Sequence, residues 1–465
     1  VIFVDKVEDA HVRAEPNADE VLSQWVYVLA APFPAPEDAV SLEALRTHWQ
    51  GEEAGAPQIY LTLETGSVLE SLLGDDPGSG VHWVQDYQLI NSAWENRPAL
   101  AIIPFEALEP RWKVLQVENA SPIRKSFTLS GYPLTVQFGL SGEPAAVAEL
   151  AEVLEWPATN RDPARMTILV MTGVTALTRT TAWKMETLGI DYPAQKIAAW
   201  LEEADVTHIS NEVPFVSRCP EPTPLRETME FCSHPRYVEL LESIGVDLVE
   251  LTGNHLIDYG VEGLSETLQI YEERGLLTFG GGADLEAALA PVIIEHHGNR
   301  LAFMGCNRAG PPGVWAKEAL PGAAPCLEDH IFPQLRQLRE AGTLPIFTYQ
   351  WFEVPQTTPT TKQIQDFRAV AEAGAVIVSG SQAHQPQTFE FYEGSFLHYG
   401  LGNLFFDQMW MPARREFIDR HVFYEGRHIS TELLTAVLED YAQPRPMTVE
   451  ERKAFLEAMF AASGW

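Results

Sequence analysis

The sequence predicts an α/β protein: a mixed or parallel sheet flanked by helices, with a second sheet stacked on it as a layered sandwich. From Met166 onward, short apolar runs alternate with helix-like stretches. Most of those runs stop at polar residues or glycine, where a buried strand hands over to a helix. Late in the chain, Thr388 to Tyr392 and Phe396 to Tyr399 face each other across Glu393-Gly394, a hairpin that suggests the second sheet.

Composition narrows the function. With 465 residues the chain is long enough for two or three domains. Hydrophobic residues make up 46% and aromatics 10%, enough for a sizeable core. The formal net charge is -34, from 65 acidic and 31 basic residues. Binding to a nucleic-acid backbone needs clustered Lys and Arg, so that class of partner is excluded. No apolar run approaches the roughly 18 residues of a membrane span. The chain starts at Val1 and not at Met, which reads as the mark of a removed targeting segment.

Residues 1–150 read as a separate α/β module. Trp25 to Ala31, Gln58 to Leu63 and Ala99 to Pro104 are strands, and Val40 to Trp49 is a short helix entered at Ser41. Residues 151–165 form a linker, with a helix from Ala145 to Leu154 leading into it and Trp156-Pro-Ala-Thr-Asn-Arg-Asp-Pro closing it. Residues 166–410 hold the regular alternation. Its strands are Met166 to Thr172, Val206 to Ser210, Asp247 to Leu251, Leu301 to Cys306, Pro345 to Gln350 and Ala375 to Ser379. Its helices are Pro193 to Ala204, Pro235 to Ile244, Val261 to Arg274, Ile331 to Ala341 and Lys362 to Ala373. Residues 411–465 read as an extension packed on that domain, with a hairpin-like Phe423-Tyr-Glu-Gly-Arg-His and a terminal helix from Val449.

Cys219 and Cys232 lie in one Pro-rich connection, and Cys306 and Cys326 flank another. Neither pair has the C-x-x-C spacing of a zinc or redox site. Two loop-stapling disulfides, and with them an extracytoplasmic or cell-surface setting, are the expectation; four buried thiols are the alternative.

Five strand ends carry the polar residues: Thr172 to Arg179, Ser210 to Pro214, Thr252 to His255, Tyr349 to Glu353 and Gly380 to His384. In their order along residues 166–410 they resemble the CapA-type poly-γ-glutamate capsule-biosynthesis family, a branch of the calcineurin-like metallophosphatase superfamily. Gly280-Gly-Gly282 and Tyr399-Gly-Leu-Gly-Asn-Leu-Phe-Phe-Asp407 support the match. The resemblance implies a metallophosphatase-like α/β/β/α sandwich and a role in synthesis, export or trimming of poly-γ-glutamate or another cell-surface polymer. In the N-terminal module, Ser41 to Gly51, Ser121-Pro and Gly131-Tyr-Pro-Leu resemble part of a phosphate-type periplasmic solute-binding domain, though no Gly-rich or Ser-rich anion cradle accompanies them.

The family's metal ligands carry over in part. Gly173 and Arg179 match the first motif, but Val174 stands at its Asp. Asn211-Glu212 stands for Asn-Leu-Glu, and Gly253-Asn254-His255 with Asp258 for Asn-Asn-His and its later Asp. Gln350-Trp351-Phe352 with Glu353 replaces His-Trp-Gly and Glu; Gly380-Ser381-Gln382-Ala383-His384 replaces Gly-His-His-Pro-His. The resemblance therefore suggests Glu212, Asn254, Glu353 and His384 as ligands of one divalent ion, if any binds. It gives His255, Asp258 and Arg179 the chemistry, and Thr175, Thr178, Gln350, Trp351 and Gln382 the contacts to a small-molecule or polymer substrate in a cleft. Two readings stay open: a metal-assisted hydrolase with an incomplete site, and a non-catalytic ligand-binding or scaffold protein. His208, inside a strand, reads as a packed core histidine, and His296-His297 as an exposed turn pair.

Overall fold

In the computed structural model the chain divides into two compact units, Val1–Ala164 and Arg165–Trp465. The described residues are 10–465, apart from 17, 19, 52–54, 75, 76, 154 and 225–228.

The first unit is built on a seven-stranded sheet. Its central strand, Glu20–Pro32, pairs antiparallel with Ala99–Pro104 on one side and with Thr135–Gly142 on the other. Three helices complete its first half. Leu42–Gln50 starts at Ser41, whose side chain accepts from Ala44 N, and stops at left-handed Gly51. Leu63–Leu73, entered through the Thr62 cap, and Leu89–Glu95 lie in a stretch that carries no clear hydrophobic period. The helix expected at Ala145 to Leu154 runs Pro144–Val153; Leu154 lies outside the described residues.

The second unit stacks two sheets. The larger has nine strands, with Leu277–Phe279, Leu248–Glu250, Val206–Asn211 and Met166–Thr172 in parallel succession. The smaller has six, with Asn299–Asn307, Leu344–Gln350, Ile377–Ser381 and Ser395–His398 parallel. Helices cover the outer face of each. Val170, Ile209 and Val249 of the larger sheet pack with Met185, Leu241, Leu264 and Tyr271. Met304, Phe347 and Val378 of the smaller pack with Ile331, Leu335, Phe367 and Val370. The inner faces meet directly: Phe279 and Phe303 lie 5.8 Å apart, Phe389 and Phe417 5.6 Å apart, and His398 Nδ1 sits 2.6 Å from Asp419 Oδ2. Helices outside, two sheets inside: this is the α/β/β/α sandwich.

Two segments differ from the sequence reading. The helix expected at Pro193 to Ala204 is confined to Ala198–Glu202, and Asp191 to Ile197 runs as successive turns. Gly189 with positive φ breaks the chain before it, and Pro193 cannot supply a helical N–H. Residues 411–465, expected as an extension, contribute strands Arg415–Tyr424, Arg427–Glu439 and Gln443–Pro446 to the larger sheet. Arg415–Tyr424 pairs with the whole of Met166–Thr172. His208 is buried in its strand, as expected of a core histidine. Of the turn pair, His297 is exposed but His296 is half-buried and bonded to Thr167.

Candidate functional site

The parallel strands of both sheets end at one edge of the sandwich, where ligands of open α/β sheets bind. Two cross-sheet contacts tie the ends together. Asn307 Nδ2 donates to the carbonyl of Thr252 at 2.7 Å, and Ser381 Oγ donates to Glu250 Oε1 at 2.9 Å. Gly253 permits the close approach of its loop: a Cβ there would fall 2.7 Å from the Cα of Glu212.

The centre of the cleft is the Gln350 carboxamide. Its nitrogen donates to Glu212 Oε1 at 3.3 Å, to Asn254 Oδ1 at 3.1 Å, and to Gln382 Oε1. Its oxygen lies 2.8 Å from Ser381 Oγ, whose single hydrogen it shares with Glu250 Oε1. Behind it lies a buried relay. Glu250 touches Ser381 and Thr252, and its Oε2 is 3.2 Å from His208 Nε2. Burial pushes the Glu250 carboxyl up, but contacts to His208, Thr252 and Ser381 together outweigh that and hold it below the usual range. Of these groups the sequence reading named Glu212, Asn254, Gln350 and Gln382. It missed Glu250, a lone carboxylate inside an apolar run, and Ser381 beside Gln382.

A second cluster lines the same edge. His255 Nδ1 is 2.7 Å from Asp258 Oδ2, which also accepts from Phe231 N at 2.8 Å. Burial pushes the His255 imidazole down; the Asp258 hydrogen bond and the negative field of Glu212 more than reverse this and leave it raised, against a smaller opposing push from Arg179. Arg179 pairs with Asp407, and its guanidinium lies 5.0 Å from the Phe231 ring and 4.9 Å from that of Phe406. Its Nε is buried with no hydrogen-bond partner. Arg179 and Gln382 both sit at positive φ, 48° and 75°, conformations that cost a non-glycine residue about 1–3 kcal/mol and persist where surroundings impose them.

The remaining expected residues make other contacts. Trp351 is buried on the helix side of the smaller sheet, packed on Tyr349 and Phe367. Strand alternation puts Tyr349 and Trp351 on one face and Gln350 on the other. Glu353 is exposed. Thr175 is fully buried and alternates away from Val174; its hydroxyl has no partner. Thr178 precedes helix Arg179–Leu188 at the position of its N-cap. His384 is buried, its Nδ1 2.8 Å from Asn403 Oδ1 and its ring 5.2 Å from that of Phe406.

A two-metal centre holds two divalent ions with bridging carboxylate and imidazole ligands. Here Val174, Gln350 and Gln382 occupy three of the ligand places that the resemblance implies. Among the described residues no three His, Cys, Asp or Glu side chains gather to hold an ion. Three neutral amides meet one carboxylate instead, and these residues do not fit such a centre.

The first unit has its own cavity, of about 580 Å³, whose lining includes Thr62, Glu64, Asp86, Glu109 and Arg111. Carboxylates outnumber Arg111, which is itself bonded to Glu109 and Asn91.

Residues 168–408 match the model of the family described as bacterial capsule synthesis protein PGA_cap. The PGA biosynthesis protein CapA of Bacillus subtilis (strain 168) is 28% identical over 178 residues, 38% of this chain and 47% of that protein. The capsule biosynthesis protein CapA of Bacillus anthracis is 24% identical over 299 residues, 63% of this chain and 72% of that protein. The match thus spans about half the length of the first of these relatives. Among solved structures, a 5'-nucleotidase precursor from Thermus thermophilus is 12% identical, with 64% of this chain and 58% of that one covered and a TM-score of 0.36. An ABC-type phosphate transport receptor from Vibrio cholerae is 15% identical, with 32% and 69% covered and a TM-score of 0.26. At those scores neither likeness bears on the chemistry.

Proposed function

Since the chain belongs to the PGA_cap family of bacterial capsule synthesis proteins, we propose that it serves the synthesis, export or trimming of a cell-surface polymer by holding a segment of that polymer in the cleft. Poly-γ-glutamate is the polymer the family implies. The observation that carries this reading is a mismatch of donors and acceptors at the two clusters. Around Gln350, three oxygens share the two hydrogens of one amide nitrogen. At Arg179, a buried Nε–H has no acceptor. A ligand with both amide N–H groups and carboxylates satisfies both, and a γ-linked glutamyl chain has both.

The protein's charge of -34 opposes binding of a polyanion over a broad surface, so recognition is local to the cleft. The disulfides Cys219–Cys232 and Cys306–Cys326 support an extracytoplasmic setting. No helix among the described residues is long and apolar enough to cross a membrane.

Titration calorimetry with a short γ-linked glutamyl oligomer tests the reading. One site per chain, weakened in Arg179→Ala, is the expected result; no binding, or binding indifferent to Arg179, would overturn it. A second reading rests on the Asp258-bound His255 with its raised pKa. In it, a water gives a proton to the Glu212 carboxylate as its oxygen adds to the carbonyl carbon, and the C–N bond then breaks as protonated His255 gives its proton to the departing amide nitrogen. Release of glutamate from the oligomer, abolished in His255→Ala, would favour this; an oligomer bound and returned intact would remove it.

A further inference from the structure

We infer that the carboxamide nitrogen of Gln350 stands where the converging oxygens of Glu212, Asn254 and Gln382 would otherwise require a cation, so that the cleft is held together by hydrogen bonds in place of a divalent ion. The three oxygens come from three separate strand ends and meet on one atom. Such convergence is how a protein surrounds a hard cation, at oxygen distances of roughly 2.0–2.6 Å. Here an amide nitrogen occupies the meeting point, 3.3 Å from Glu212 Oε1 and 3.1 Å from Asn254 Oδ1, and closer to Gln382 Oε1.

Glu212 supplies the reason that something electropositive must sit there. Its carboxylate is 3% exposed, and a buried charge needs a donor or counter-charge. The Gln350 N–H is one such group, and His255 is a second, felt through space.

The amide is also oriented. Ser381 Oγ lies 2.8 Å from its oxygen, and the single hydroxyl hydrogen is shared between that oxygen and Glu250 Oε1. Ser381 is itself fixed by Glu250 at 2.9 Å. These contacts make the relay from His208 through Glu250 and Ser381 a positioning device for a neutral group. The inference is independent of which ligand the cleft holds.

The test is equilibrium dialysis of the full chain against Zn²⁺ and against Mn²⁺, with metal counted per chain, beside thermal melting with and without each ion. The wild type is expected to retain well under one ion per chain and to melt at the same temperature in both conditions. Gln350→His puts an imidazole beside Glu212, and Gln350→Glu a second carboxylate. Each is expected to gain at least roughly tenfold in Zn²⁺ or Mn²⁺ affinity and to melt higher when the ion is present. Circular dichroism identifies any variant that fails to fold, and the other variant then decides. One stoichiometric ion in the wild type, lost in Glu212→Gln, would overturn the inference. So would folded variants at position 350 that gain no affinity.

Discussion

The two sheets contribute unequal walls to one cleft. The larger sheet supplies groups that ionise: Glu212, His255 with Asp258, and the buried Glu250. Around Gln350 the smaller sheet supplies groups that do not, Gln350, Ser381 and Gln382, joined by the neutral Asn254 from the larger one. The backbone that delivers these strand ends does not register the difference. Gln350 pairs with Ser381 and Asn307 by main-chain ladder bonds, and such bonds accept any side chain at the end of the strand. The fold therefore sets the geometry of the cleft without setting the charge of its walls.

The largest effect should come from the group that bridges the walls. Glu250→Leu removes the partner of buried His208 and the anchor of Ser381. Thr252 and Ser381 are left without their buried acceptor, at a cost of about 1–3 kcal/mol for each, which a urea denaturation midpoint would register. A loss no greater than that of a surface substitution would mean the walls are not joined there. Next comes the amide. Gln350→Leu leaves the Glu212 carboxylate without its N–H donor, at a cost of about 1–3 kcal/mol, and replacing Glu212 by Leu as well should recover much of it. Failure to recover in the double variant would uncouple the two positions.

A smaller effect is expected from pH. His255 is raised above its ordinary 6.5, so the folded state binds the proton more tightly than the unfolded one. The stability this provides is complete below pH 6.5 and is lost as pH rises through the folded value. Asp258→Asn should move the His255 titration, followed by its ring-proton shifts, down toward the ordinary value. An unmoved midpoint would show that Asp258 does not govern it.

Much of this was legible in the sequence. Apolar runs ending in polar residues marked the five strand ends, and the family pattern picked out Glu212, Asn254, His255, Gln350 and Gln382. Thr175 was misplaced by reading its motif as a unit, and for Trp351, read either as core or as a stacking platform for substrate, the structure shows the core position. The two-residue period of a strand, applied to Tyr349-Gln350-Trp351 and to Val174-Thr175, separates the faces that the motif merges. The hairpin at Phe423 to His428 was legible and joins Arg415–Tyr424 to Arg427–Glu439, but the pairing of Arg415–Tyr424 with Met166–Thr172 spans most of the domain's sequence, and no local pattern encodes such a pairing. Glu250 was passed over for a related reason. A carboxylate inside an apolar run becomes informative once its partners, His208, Thr252 and Ser381, are known.

The side-chain amide of Gln350 can be watched directly. In protein labelled with ¹⁵N-glutamine, its signal is the one absent from Gln350→Leu. Adding a γ-linked glutamyl oligomer should shift that signal, and adding Zn²⁺ should leave it in place. A signal moved by Zn²⁺ and untouched by the oligomer would contradict a cleft that works through hydrogen bonds.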